Sequence, residues 1–157
     1  MKRQLWVHGT EISREKMRPF SWKSSPLDNV QGIRKPKGGL WTSTYIPERG
    51  SAWTQWCLSE DFSVPQERWQ GYVLTPRRNT ILYTIDTYED YERLLYDLIL
   101  WARMLRREYD GVHLTERGES ETRRDLYGWD CESTFWFKWS FSHIEYIEIP
   151  IGERVHE

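Results

Sequence analysis

The chain is poor in cysteine, has no long aliphatic run and carries almost no net charge, and each shortage excludes something. Cys57 and Cys131 are its only cysteines. Two cannot form a disulfide framework, and neither sits in a Cys-x-x-Cys or Cys/His cluster of the kind that holds zinc, so no metal is expected. The longest apolar stretch, Leu98-Ile99-Leu100-Trp101-Ala102, is far below the roughly 20 residues that a membrane-spanning helix needs. The N-terminal Met1-Lys2-Arg3-Gln4-Leu5-Trp6-Val7-His8 turns polar before the core of a signal peptide can form. The expectation is a soluble, cytoplasmic protein with no membrane partner. A formal net charge of −2, from 22 basic and 24 acidic residues, supplies no field that would favour nucleic acid. With no internal repeat, low-complexity tract or linker, residues 1–157 read as a single domain.

Aromatic residues are what the chain has in excess. Ten Trp, nine Tyr and five Phe make up 15% of it. These rings supply the core area that the modest aliphatic content does not, and they argue against disorder.

Leu5-Trp6-Val7-His8 reads as a short first strand that stops at Gly9-Thr10. Residues 11–39, with Pro19, Pro26, Pro36, Gly32, Gly38 and Gly39, read as a long polar loop, which in a compact domain is functional or mobile. Residues 40–45 form a second strand. Residues 51–58 form a short helix capped by Ser51, with Trp53, Trp56 and Cys57 on one side. Two strands follow at 69–74 and 80–86, and the second, apolar on both faces, is expected to be central in its sheet. Thr87 and Asp90 form a capping box for one long helix whose apolar stripe runs Tyr91, Leu94, Leu95, Leu98, Trp101, Ala102 and Leu105. Residues 108–114 leave that helix and enter a strand. A charged loop at 115–124 separates it from strands at 129–138 and 141–149. The order specifies a mixed α+β domain built around one long and one short helix.

Three segments carry residue types suited to chemistry. His8-Gly9-Thr10 ends a strand, where an imidazole can face a cleft and a glycine leaves the backbone N–H and C=O open to a ligand; a surface His before a turn is the plainer reading. Gly38-Gly39-Leu40-Trp41-Thr42-Ser43, with Ser51-Ala52-Trp53-Thr54-Gln55-Trp56-Cys57, can set two indoles about a flat ring, although with ten Trp most must be core or surface. Stacking of that kind contributes about 0.5–1.5 kcal/mol per aromatic pair beyond area burial. In Trp129-Asp130-Cys131-Glu132-Ser133-Thr134-Phe135-Trp136-Phe137, period-two alternation puts Glu132 on the side of Asp130, Thr134, Trp136 and Lys138. There its carboxylate either faces a cleft or is an ordinary exposed strand Glu, and Glu145 and Glu148 are rivals for any carboxylate role.

In this order the three segments resemble the ADP-ribosyltransferases of the diphtheria-toxin and poly(ADP-ribose) polymerase lineage, the group with a His-Tyr-Glu triad. Trp6-Val7-His8-Gly9-Thr10 is similar to its first motif. Gly39-Leu40-Trp41-Thr42-Ser43 and Ser51-Ala52-Trp53-Thr54-Gln55-Trp56-Cys57 are similar to the two halves of its second. Glu132-Ser133-Thr134-Phe135-Trp136-Phe137 is similar to its third. The stretch from Tyr109 to Thr115, followed by Trp129 to Ser133, looks like small bacterial and phage members. The chain departs from the pattern in having Trp41 and Trp56 at the two tyrosine positions, which keeps ring stacking and loses the phenol hydroxyls.

The resemblance implies a split mixed sheet whose cleft binds NAD as a substrate. His8 would hydrogen-bond a ribose hydroxyl, Gly9 would clamp the carboxamide through its backbone, and Thr10 would lie nearby on the nucleotide. Trp41 and Trp56 would sandwich the nicotinamide ring, and Thr42 or Ser43 would support Glu132. Glu132 would accept a hydrogen bond from the 2′-hydroxyl of the nicotinamide ribose, with His8 as its catalytic companion. Asp130, where toxin-type arginine transferases carry a second Glu, would help to orient a nucleophile. Arg34, Lys35 and Lys37 would meet the phosphates unless they are simply a solvated basic loop. The implied function is transfer of ADP-ribose from NAD to a macromolecular acceptor, protein in preference to nucleic acid, as a toxin or phage effector does. An NAD glycohydrolase, an RNA 2′-phosphotransferase-like enzyme and a non-enzymatic Trp-rich binding module are the alternatives.

Overall fold

The structure of the protein, a computed structural model, describes residues 2–8, 39–95, 108–126 and 128–151. These form strands β1 (Gln4–His8), β2 (Leu40–Thr44), β3 (Arg68–Pro76), β4 (Leu82–Ile85), β5 (Gly111–Leu114), β6 (Ser133–Trp136) and β7 (Phe141–Pro150). The described helices are α1 (Ala52–Glu60), α2 (Tyr88–Leu95) and α3 (Glu116–Thr122). The strands make one mixed sheet in the order β4-β5-β6-β2-β1-β3-β7, with β4 and β5 parallel and the other pairs antiparallel. The class is α+β, as the alternation of strand and helix signals implies.

Local chemistry sets the helix starts. Ser51, extended at φ −164°, accepts from the Thr54 N–H, and the Thr54 hydroxyl accepts from the Ser51 N–H, so two donors at the start of α1 are satisfied reciprocally. Thr87 and Asp90 exchange bonds in the same way ahead of α2. The long helix expected from Thr87 to Leu105 is described only over α2, because residues 96–107 lie outside the described residues, as does all of the loop expected at 11–39 except Gly39.

Three expectations are corrected. Residues 115–124 are not a loop but hold α3. It lacks an apolar period and is held instead by the Thr115 hydroxyl accepting from the Gly118 N–H, by the pairs Arg117–Glu121 and Glu119–Arg123, and by close packing. A Cβ at Gly118 would collide with the Ile85 carbonyl oxygen, so this helix lies directly on the end of β4. Strand β4, expected to be central, is an edge strand; its Leu82 and Tyr83 are half-buried and Thr84 is exposed. Its apolar pattern reflects contact with α2 and with the tail of the core rather than strands on both sides. The strand expected at 129–138 shortens to β6, buried at all its positions.

Two apolar clusters share one face of the sheet. Alternation puts Trp41 and Ser43 together, and pairing carries that face to Phe135 and Val112 on one side and to Leu5 and Val73 on the other. Tyr91 and Leu94 of α2 pack with Ile85, Val112, Leu114, Leu126, Trp129, Phe135 and Phe137. Cys57 of α1 packs with Leu5, Trp69, Val73 and Ile149. The opposite face carries an aromatic cluster of Tyr72, Trp136 and Phe141 with Leu74.

The sheet is weakest in its middle. Strand β1 pairs with β3 along its whole length, from Gln4↔Leu74 to His8↔Gln70, but with β2 only at Gln4↔Thr44 and Leu5↔Ser43. Strand β2 meanwhile stays with β6 through Leu40↔Trp136. Gly39 makes that possible, since a Cβ there would land on the Trp136 carbonyl oxygen. The two halves of the sheet therefore part between the His8 end of β1 and the Leu40 end of β2. A buried polar chain ties them where they part: the Trp136 indole donates to the Thr42 hydroxyl (2.8 Å), which donates to the Gln4 side-chain oxygen (2.8 Å).

Candidate functional site

A cavity of about 200 Å³ opens where β1 and β2 separate. Its walls include Leu5, Trp6 and Val7 of β1, Trp41, Thr42 and Ser43 of β2, Trp53 of α1, and Trp129, Asp130 and Cys131 from the segment before β6. An apolar cavity of about 150 Å³ accommodates benzene, so this one has room for a single aromatic ring. Trp41 is fixed on two sides, edge-on to Trp129 (4.9 Å between centroids, 86°) and tilted against Phe135 (5.0 Å). Across the cavity, Trp53 is stacked on Trp56 (5.2 Å, 13°), and Phe62 meets both of them edge to face.

Glu132 does not itself line the cavity, although its neighbours Cys131 and Ser133 do; its side chain is held by donors from two strands, β2 and β5. The Thr44 N–H (2.8 Å) and the Ser43 hydroxyl (2.9 Å) reach Oε1, while the Thr44 hydroxyl (2.8 Å) and His113 Nε2 (2.8 Å) reach Oε2. The side chain is only 12% exposed. Burial alone would push its pKa up, but the hydrogen bonds from His113 and from the Thr44 backbone and side chain outweigh burial and hold the carboxyl below the ordinary glutamate value. Glu132 is thus an ionised carboxylate with fixed orientation rather than a solvated strand residue. This is what a group needs if it is to stabilise a positive charge that develops only in a transition state.

The structure brings three of the expected NAD-binding residues to the cavity wall and bonds one of them to Glu132. Residues Trp41, Thr42 and Ser43 border the cavity, and Ser43 supports Glu132. Thr42 does not: it is 3% exposed, and its hydroxyl is engaged by Gln4 and Trp136. His8 closes β1 opposite Gln70, on the strand next to β2. Gly9, Thr10, Arg34, Lys35 and Lys37 lie outside the described residues. Trp56 is not among the residues bordering the cavity; the α1 indole that faces it is Trp53, with Trp56 stacked behind. Asp130 is at the cavity wall, and its charge adds to burial in pushing the Cys57 thiol up to about 11.

Thr44, His113, Trp53 and Trp129 were not legible as site residues. Thr44 adjoins Ser43, and its N–H does as much as either hydroxyl, a contribution no residue type advertises. His113 sits alone among apolar residues in Gly111-Val112-His113-Leu114, and a polar ring at that position in a buried strand is a signal that something faces it. What faces it follows from the β5–β6 register, Leu114↔Ser133 and His113↔Thr134, which brings β5 alongside the start of β6 next to Glu132.

No protein-family model, no curated protein and no solved structure matches the chain. Among the described residues no helix is long and apolar enough to cross a membrane, and no group of three or more His, Cys, Asp or Glu side chains is placed to hold a metal ion.

Proposed function

We propose that the protein is a cytoplasmic NAD-dependent mono-ADP-ribosyltransferase that transfers ADP-ribose from NAD to a macromolecular acceptor and releases nicotinamide. The observation that supports this reading is the meeting of β1, β2 and the segment leading into β6 around a ring-sized cavity, with the ionised, buried Glu132 flanked by the lining residues Cys131 and Ser133 and bonded to the lining residue Ser43. The family resemblance asks for such a carboxylate near a cavity that takes a flat ring.

In this reading the nicotinamide ring enters the cavity against Trp41 and Trp53. The bond between nicotinamide and the ribose C1′ breaks, and its electron pair leaves with the ring. The sugar becomes oxocarbenium-like, as in glycoside hydrolysis. Glu132 accepts a hydrogen bond from the ribose 2′-hydroxyl, and its fixed negative charge favours the developing cation over the ground state. The acceptor then bonds to C1′ and gives up a proton. Asp130, at the same wall, is in position to orient that acceptor.

The experiment is incubation of the protein with NAD and a cell lysate, following free nicotinamide and ADP-ribose on lysate macromolecules. Release with transfer is expected, and Glu132→Gln should lower turnover by about 10²–10³. Nicotinamide release with free ADP-ribose as the sole product would make the enzyme a glycohydrolase. Absence of NAD binding in a Trp-fluorescence titration would end the enzymatic reading.

A further inference from the structure

Donors surround the Glu132 carboxylate unequally. Oε2 receives two donors, the Thr44 hydroxyl and His113 Nε2, both at 2.8 Å. An ionised carboxylate offers about two acceptor sites per oxygen, so Oε2 is full. Oε1 receives the Thr44 N–H at 2.8 Å and shares the single Ser43 proton with the Glu132 carbonyl oxygen, each 2.9 Å from the Ser43 hydroxyl. Ser43 can therefore turn its proton to the carbonyl without moving a heavy atom, which opens a site on Oε1. The oxygen that can accept a further donor is therefore Oε1, whose partner Ser43 borders the cavity although Glu132 itself does not line it.

We infer that His113 is a positioning residue for Glu132: it locks Oε2 so that Oε1 is the oxygen offered to a ligand hydroxyl. The other three bonds to the carboxylate come from Ser43 and Thr44, two consecutive residues of one strand. They fix it from one side only. His113 reaches it from β5, across β6, with a ring 26% exposed, and stops the carboxylate from rotating about its last torsion. Without it, Oε2 keeps one donor, the two oxygens become nearly equivalent, and the orientation that leaves Oε1 as the oxygen with a releasable donor is no longer imposed. A positional error of this kind is paid in the transition state, where charge alignment matters, and hardly at all in ground-state binding.

The inference rests on the proposed reading of the cleft, and the test separates the two. Steady-state nicotinamide release is measured against NAD concentration for the wild-type chain and for His113→Ala, His113→Gln and Glu132→Gln, alone and combined, each checked for a cooperative thermal transition. Expected are a kcat for His113→Ala lower by about tenfold or more, a KM within about twofold, partial recovery in His113→Gln, whose amide restores a donor, and no further loss when His113→Ala is added to Glu132→Gln. A His113→Ala enzyme with wild-type kcat overturns the inference, as does a change confined to KM or a full additional loss in the double variant. If His113→Ala does not fold, the comparison of His113→Gln with Glu132→Gln decides by the same criteria. A wild-type chain that binds NAD in no titration overturns the reading of the cleft and this inference with it.

Discussion

The two halves of the sheet are built on different principles. On the β1–β3–β7 side, strands of five, nine and ten residues pair in long registers, and the core around Cys57 of α1 is apolar. On the β4–β5–β6–β2 side the strands have four or five residues, and the pairings are short. All the side chains that hold Glu132 belong to this second half: Ser43 and Thr44 on β2, His113 on β5. One half makes a scaffold by repetition of hydrogen bonds and buried area. The other spends its short strands on bringing hydroxyls and an imidazole to a single carboxylate. Their separation teaches where to look for function, because the cavity lies along the seam between them.

That contrast can be broken by substitution. The largest effect is expected at Glu132→Gln, with turnover down about 10²–10³ while the protein still melts cooperatively. The amide presents an N–H to one of the donors that now surround the carboxylate, so a smaller loss of stability, about 1–3 kcal/mol, should accompany it. Leu74→Ala in the scaffold half should do the reverse. Leu74 is fully buried, and truncation should cost about 3 kcal/mol in a denaturant titration, with NAD affinity of the folded fraction unchanged. If Leu74→Ala abolishes NAD binding at a denaturant-free, fully folded concentration, the two halves are not separable in the sense argued.

Acid titration sharpens the comparison on the side of the carboxylate. Glu132 is held below the value of 4.5 that it would have in the unfolded chain. Above that value its bonds contribute fully to stability. As the pH falls through the lowered folded value, the native state must take up the proton, and the contribution is lost. Wild-type stability should therefore fall more steeply than that of Glu132→Gln between about pH 5 and about pH 3. Parallel curves in chemical denaturation at each pH would show that the carboxylate carries no such linkage.

The smallest expected difference concerns the two stacked indoles. Trp53→Ala should weaken NAD binding by about threefold to tenfold, the worth of one aromatic stacking contact. Trp56→Ala, removing the ring behind it, should weaken binding less. A larger effect at Trp56 in the fluorescence titration would return the sandwich to the pair Trp41 and Trp56 that the family resemblance implies.

Much of this could be read from residue order, and what could not has a physical cause. Strands β1, β2, β3 and β7 and helix α1 follow from alternation, turn residues and the Ser51 cap. Helix α3 was hidden because Glu116, Arg117, Glu119, Glu121 and Arg123 form a solvated helix with no apolar stripe, stabilised by ion pairs one turn apart and by a glycine pressed on a backbone oxygen. The edge position of β4 was hidden because burial by helices and burial by flanking strands leave the same apolar pattern. The bond between Ser43 and Glu132, 89 residues apart, was expected only through the family resemblance. His113 was not legible, since its partner is set by strand pairing between segments 19 residues apart, and pairing registers are a property of the folded sheet.

The most direct test is a crystal structure of the chain with a non-hydrolysable NAD analogue. The nicotinamide ring should lie between Trp41 and Trp53, with the ribose 2′-hydroxyl within hydrogen-bonding distance of Glu132 Oε1. An analogue seated away from the seam between β1 and β2, with Glu132 still closed on all its present donors, would contradict the account.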